Sequence, residues 1–309
     1  MHALSPVSPW KKATFLHERA SSEEAASPPG SEASLQQAER RASAWRQVMS
    51  ADEGTLDERL KSVGLDREGF LQVLARAESG VSNPPGQSWE ELLQEILSDR
   101  QAGAPLPPSL SAPASVGQRG LPFSGLLHPF LRLGAVRLRA GLEELRVHHP
   151  SQGPLVGPAI EATMLEALAL RLHELASRVL ILELNVARVM ERLSGSTPQE
   201  RFHHFSTVLL QEPGARAALL EEYPVLARLM VTALERWQEA SLELLGHLAA
   251  DRELLERTFL SGRELGTLVV AQGGISDLHR GGRGVFLLRF SSGLRLVYKP
   301  KSLEVDVHF

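Results

Sequence analysis

Residues 268–309 read LVVAQGGISDLHRGGRGVFLLRFSSGLRLVYKPKSLEVDVHF. Apolar and polar residues alternate here with the period of two that a half-buried strand needs, and β-branched and aromatic residues are frequent. The pattern predicts strands at 267–271, 284–290 and 294–299, with Ser291-Ser292-Gly293 as the hairpin turn between the last two. Alternation places Leu294, Leu296 and Tyr298 on one face and Arg295, Val297 and Lys299 on the other. Residues before 262 carry helical spacing instead. The chain is therefore α+β and predominantly α-helical, with a large helical part followed by antiparallel strands.

Between the first two strands, residues 272–284 hold five glycines together with Asp277, His279, Arg280 and Arg283. Glycine lets backbone N–H groups turn toward an anion without a Cβ in the way. A lysine on the strand after the following hairpin, here Lys299, is where protein kinases hold the α- and β-phosphates of ATP, and Val297 on the same face suits an adenine ring. The plainer reading is a glycine-rich connection and a solvated strand-end lysine. Neither a complete G-x-G-x-x-G after a strand nor a G-x-x-x-x-G-K-[ST] run is present, so spacing alone leaves both readings open.

Working back from the strands, residues 159–193 form the strongest helical stretch, with Leu165, Leu168, Leu172, Leu175, Val179, Leu182 and Val186 at steps of three and four. It stops at Ser194-Gly195-Ser196-Thr197-Pro198, where Thr197, Pro198 and Glu200 start the next helix. Helices are expected at 199–210, 215–220 and 225–258, and over 122–145 with an interruption near Pro129. Further upstream, short helices are expected at 10–19, at 34–49 with Ser34 as N-cap, over 56–77 with Gly64 as a C-cap between two segments, and at 89–96. Eleven of the nineteen prolines lie between Pro84 and Pro158, and residues 102–120 add serine and glycine. The expected organisation is a helical region at 1–101, a Pro/Ser/Gly-rich linker or exposed loop at 102–121, a second helical part at 122–262, and a nucleotide-binding lobe that begins at 263–309.

With 309 residues, 43% hydrophobic content and a formal charge of −4, the chain can fill sizeable cores, and it lacks the basic excess of a nucleic-acid binder. It contains no cysteine, which excludes disulfides, thiolate metal sites and cysteine nucleophiles within these residues. No run reaches the length of a membrane span and the N-terminus has no signal-like apolar segment, so a cytoplasmic protein is expected. The pairs His148-His149 and His203-His204 lack a partner at i+4, and no metal site is assigned to them. Glu183 and Asn185, set among leucines of the long helix, read as hydrogen-bonded packing elements. Trp10, Trp45, Trp89 and Trp237 read as core residues.

Ser276-Asp277-Leu278-His279-Arg280-Gly281-Gly282-Arg283 followed by Val297-Tyr298-Lys299-Pro300-Lys301-Ser302-Leu303 resembles the opening of the dehydratase domain of type 2 lanthipeptide synthetases, the LanM family. Leu182-Glu183-Leu184-Asn185-Val186-Ala187-Arg188, then Gly195-Ser196-Thr197-Pro198-Gln199-Glu200-Arg201-Phe202, then Glu222-Tyr223-Pro224-Val225-Leu226-Ala227-Arg228-Leu229 are similar to stretches of that family in the same order. The similarity covers roughly residues 122–309. It implies a lipid-kinase-like lobe with added helices, in a cytoplasmic bacterial enzyme that binds a ribosomal precursor peptide. With ATP and Mg²⁺ such an enzyme phosphorylates serine and threonine side chains, then eliminates the phosphate to leave dehydroamino acids.

By motif match, Asp277 and His279 fall on the family's phosphate-loop acid and histidine and are the catalytic candidates, while Lys299 falls on its nucleotide-binding lysine and, with Gly281 and Gly282, is the candidate cofactor-binding set. Whether Asp277 and His279 serve phosphorylation, elimination or both stays open. Ser276 replaces the family's usual glycine. The resemblance further implies that the catalytic-loop acid, the Mg²⁺ ligands and the zinc-dependent cyclase domain lie beyond Phe309, so that this polypeptide is an N-terminal fragment, inactive alone. The competing expectation is a truncated, non-catalytic peptide-binding helical protein. An unrelated small-molecule kinase would share Lys299 and the loop but need not have the long helices.

Overall fold

The structure, a computed structural model, describes residues 10, 13–15, 18, 32–49, 53–62, 64–75, 88–98, 105–111, 120–149, 155–157, 159–273 and 283–300. Its helices are α1 (Glu32–Met49), α2 (Glu53–Ser62), α3 (Arg67–Ala75), α4 (Ser88–Leu97), α5 (Pro108–Ser111), α6 (Ser124–His148), α7 (Ile160–Val189), α8 (Pro198–His203), α9 (Pro213–Glu222), α10 (Pro224–Ala250) and α11 (Arg252–Leu260). Three strands follow: β1 (Leu268–Gln272), β2 (Phe286–Phe290) and β3 (Arg295–Tyr298). They form one antiparallel sheet in the order β1-β2-β3. The expected predominantly helical α+β class is what the chain adopts. It divides into two compact units, Met1–Glu91 with Leu220–Arg228, and Leu92–Leu219 with Leu229–Phe309.

In the first unit, Ala38, Leu56, Leu60, Phe70 and Leu74 form a small apolar core. The expected pair of helices around Gly64 is present as α2 and α3. Gly64 has φ +75°, a left-handed turn that favours glycine, and the Asp66 carboxylate accepts from the Gly69 N–H at 2.7 Å to start α3. α1 begins at Glu32, so Ser34 lies inside the helix and is not its cap. Trp10 and Trp89 are buried edge-to-face at 6.0 Å. Beside them, Arg228 forks onto Glu18, with Nη1 to Oε2 at 2.6 Å and Nη2 to Oε1 at 2.5 Å. Its guanidinium also lies 4.2 Å from the centre of the Phe15 ring. Of the expected helix at 10–19, most residues lie outside those described, as does the Trp45 side chain.

In the second unit, α6, α7 and α10 bury Leu126, Phe130, Leu133, Leu165, Leu168, Leu172, Met230 and Leu234. α6 runs straight through Pro129, correcting the expected interruption. A proline inside a helix withholds one N–H, here the one that would reach Gly125, and Pro129 is buried where apolar packing on both sides outweighs that loss. Within the Pro/Ser/Gly-rich stretch, Pro108–Ser111 forms a helical turn that buries Leu110 and places its carbonyl 2.8 Å from His128 Nε2. At that point the stretch is packed and not an exposed loop.

The Thr197 capping box forms as read, with Pro198 in the first turn. The helix expected to follow as one piece is instead three: α8, a π-helical turn over His204–Val208, and a 3-10 turn over Leu209–Gln211. Gly125 explains the irregularity, because a Cβ there would lie 2.7 Å from the Ser206 oxygen and 2.7 Å from the Leu210 carbonyl carbon. Backbone approaches backbone too closely for regular turns with side chains between them. The expected helix at 225–258 breaks at Asp251 into α10 and α11. Ser261 (φ 54°) and Gly262 (φ 82°) then end the helical part in the left-handed region.

Leu288, Phe290, Leu268 and Ala271 on the inner face of the sheet pack on Leu138 of α6, Ile160 and Met164 of α7, and Leu244, Leu245 and Leu248 of α10. Each large aliphatic side chain buried there contributes about 1.5–3 kcal/mol. The outer edge of β1 is held by residues 155–157, with the Gly157 N–H donating to the Leu268 carbonyl at 2.8 Å and the Leu268 N–H to the Leu155 carbonyl at 2.9 Å. Among the described residues no helix is long and apolar enough to cross a membrane.

Candidate functional site

The β2–β3 hairpin positions the one predicted site residue that the structure describes. Its register pairs Phe286 with Tyr298, Leu287 with Val297, Leu288 with Leu296 and Arg289 with Arg295. The tight end is Ser291-Ser292-Gly293, where Gly293 takes φ 89° and donates its N–H to the Phe290 carbonyl at 3.0 Å. Leu294, Leu296 and Tyr298 pack against the core. Arg295, Val297 and Lys299 are exposed, as the alternation predicts.

Lys299 follows the last ladder pair at the open end of the hairpin and lies on the solvent face with Val297, which is 56% exposed. Two residues along a strand span about 6.6 Å, within the reach of one flat ring lying on Val297 with its substituent toward Lys299. Leu287, 42% exposed, sits across from Val297 and widens this apolar surface. Among the described residues no carboxylate pairs with Lys299. An exposed ammonium beside an exposed apolar strip can meet an anion with the one and an apolar group with the other. Asp277, His279, Gly281 and Gly282 lie outside the described residues.

Next to this hairpin the fold gathers Arg283 and Tyr298 with two residues the sequence did not single out, Glu243 and His247. The Arg283 guanidinium, just before β2, donates from Nε to Glu243 Oε2 at 2.8 Å, and from Nη2 to the same oxygen. One turn further along α10, His247 Nδ1 lies 2.9 Å from the Tyr298 hydroxyl. The Arg283 hydrogen bonds, aided by its charge, hold the Glu243 carboxyl below the usual carboxylate range. Burial, and then the Glu243 charge, push the Tyr298 phenol above its ordinary value. The available signal was Glu243 and His247 four residues apart on one helix, a spacing that puts both on the same face.

His148 Nδ1 lies 2.8 Å from the carbonyl of Glu144 in its own helix. Among the described residues no group of three metal-capable side chains converges. Asn185 is exposed and donates to the Ile181 carbonyl at 2.9 Å, so it bonds its own helix and is not buried among leucines. The C-terminal part of α7 is in fact apolar and uncovered, with Ile181, Leu182, Val189 and Met190 all more than half exposed. Trp10 and Trp89 are buried, and Trp237 is partly buried, donating from Nε1 to the Met164 carbonyl at 2.9 Å.

Two comparisons bear on this geometry. Residues 223–309 match a family model described as "Domain of unknown function (DUF4135)". A stretch of 133 residues, 43% of this chain, is 27% identical to "Lacticin 481/lactococcin biosynthesis protein LcnDR2" of Lactococcus lactis subsp. lactis. That match spans 14% of the relative's own length. Both agree with the resemblance to the type 2 lanthipeptide synthetases, and the matched family model covers α10, α11 and the whole sheet.

Proposed function

We propose that this chain carries the N-terminal part of a lanthipeptide synthetase dehydratase, acting in the cytoplasm on a ribosomal precursor peptide. The observation that carries the reading is Lys299, exposed beside Val297 on the outer face of the sheet, in the segment that the family model matches. In the first step a serine or threonine Oγ attacks the γ-phosphorus of ATP, the bond to the β-phosphate oxygen breaks, ADP leaves, and the hydroxyl proton passes to a base. In the second, a base removes the α-proton, the Cβ–O bond breaks, a Cα=Cβ double bond forms, and phosphate departs.

Lys299 neutralises phosphate charge as it develops during transfer, with little competition from a neighbouring acid. Val297 and Leu287 cover the base. Gly281 and Gly282 supply backbone N–H donors, and Asp277 with His279 accept or hold the transferred protons. Mg²⁺ supplies charge neutralisation at the phosphates when bound. The described residues offer no cluster to ligate it, and no step is derived through it.

The test is binding of a fluorescent ATP analogue in the presence of Mg²⁺. Saturable binding that drops at least tenfold in Lys299→Ala, on the order of 1.4 kcal/mol, supports the reading. Binding that is absent, or equal in the variant, refutes it.

A further inference from the structure

The β2–β3 hairpin is held to α10 in two different ways. Leu288, Phe290 and Leu296 pack on Leu244, Leu245 and Leu248 of α10, an apolar contact that is strong and non-directional. β2 is also paired with β1 as far as Leu287 opposite Gln272, and the β2–β3 ladder stops at Phe286 and Tyr298, beyond which neither segment makes a ladder bond. Both chain segments leaving that end are tied to the same helix by directional bonds. Arg283, three residues before Phe286, is forked onto Glu243, and Tyr298, immediately before Lys299, meets His247. Phe286 and Tyr298 also face one another as rings 6.5 Å apart, so the two tethers meet across one strand pair.

Among the described residues the polar partners of Glu243 and His247 are Arg283 and Tyr298, not Lys299. What they fix is the backbone from which Lys299 projects. A lysine has many rotamers, so the place of its Cα decides whether the ammonium reaches a phosphate at small further entropic cost. We propose that Glu243 and His247 of α10 are positioning residues, which through Arg283 and Tyr298 hold the open end of the hairpin and set the reach of Lys299 toward a nucleotide phosphate. The inference rests on the nucleotide-binding reading of Lys299.

The experiment measures affinity for the fluorescent ATP analogue with Mg²⁺, and in parallel the thermal unfolding midpoint, in the full chain and its variants. Tyr298→Phe, which keeps the ring and removes only the hydroxyl, and Glu243→Gln are each expected to weaken binding roughly tenfold, the size of effect that a displacement below 1 Å produces. The unfolding midpoint should move little, since the apolar contact remains. Arg283→Lys should retain more affinity than Arg283→Ala, and the exchanged pair Glu243→Arg with Arg283→Glu should recover part of it.

If Lys299→Ala abolishes binding while these variants bind like the parent, the positioning role is wrong and the nucleotide reading stands. A lowered unfolding midpoint with unchanged affinity also overturns the inference, because it reveals structural support alone. If the parent chain binds no nucleotide, the reading of Lys299 fails and the inference goes with it.

Discussion

Replacing Arg228 with methionine keeps the long apolar stem but removes the charge that holds Glu18. In the native chain both side chains are nearly inaccessible, at 9% and 8% relative exposure, and the guanidinium makes two bonds to Glu18 and one to the Ala13 carbonyl at 2.8 Å. The variant leaves a buried carboxylate that has lost both guanidinium bonds and keeps the Phe15 N–H at 2.9 Å among its partners. Breaking one side of a buried ion pair costs about 3–5 kcal/mol, to which loss of the stacking on Phe15 adds up to about 1–2 kcal/mol.

For an m-value of about 2 kcal/mol/M in urea, a loss of 3 kcal/mol lowers the midpoint by about 1.5 M. Tryptophan fluorescence reads this directly, because Trp89 lies 6.0 Å from the guanidinium and stacks edge-on with Trp10. Glu18→Gln together with Arg228→Met should cost less than Arg228→Met alone, since the buried negative charge that Arg228 neutralised is gone. A midpoint within about 0.3 M of the parent, some 0.6 kcal/mol at the same m-value, would refute the argument that this pair is buried and coupled.

Other expectations follow from single features. His128 is buried, and burial above all, with Arg132 also nearby, holds its pKa below the ordinary value against the opposing hydrogen bond to Leu110. As pH falls through about 6.5 the unfolded chain takes up a proton that the native chain does not, so stability should decline with acidification until the lowered native value is reached. Urea midpoints on either side of pH 6.5 should show that slope, and His128→Gln should flatten it. Gly125→Ala places a methyl against backbone of the π-helical turn and should cost at least about 2 kcal/mol by chemical denaturation. Thr197→Ala removes the capping oxygen from the Glu200 N–H and should cost about 1 kcal/mol in the same assay.

Where the deciding forces are local, the sequence reveals them. The hairpin turn at Ser291-Ser292-Gly293, the sidedness of Val297 and Lys299, and the Thr197 capping box all follow from residues within a few positions of one another. Ser34 looked like a cap because its type favours the position, yet α1 starts two residues earlier, at Glu32. Pro129 looked like a break because proline disfavours helix interiors, but the surrounding core keeps the helix continuous. The π-helical turn arises from the approach of Gly125, some eighty residues away in sequence. Arg283 with Glu243, forty apart, and Tyr298 with His247, fifty-one apart, are of the same kind, since only the folded sheet brings them onto α10.

The most direct measurement combines the protein, expressed from its full reading frame, with ATP, Mg²⁺ and a serine- and threonine-containing lanthipeptide precursor peptide, and follows peptide mass. The account predicts a transient gain of phosphate followed by loss of one water per modified residue, both absent in Lys299→Ala. A peptide whose mass never changes, or a Lys299→Ala variant that dehydrates it as fast as the parent, would contradict it.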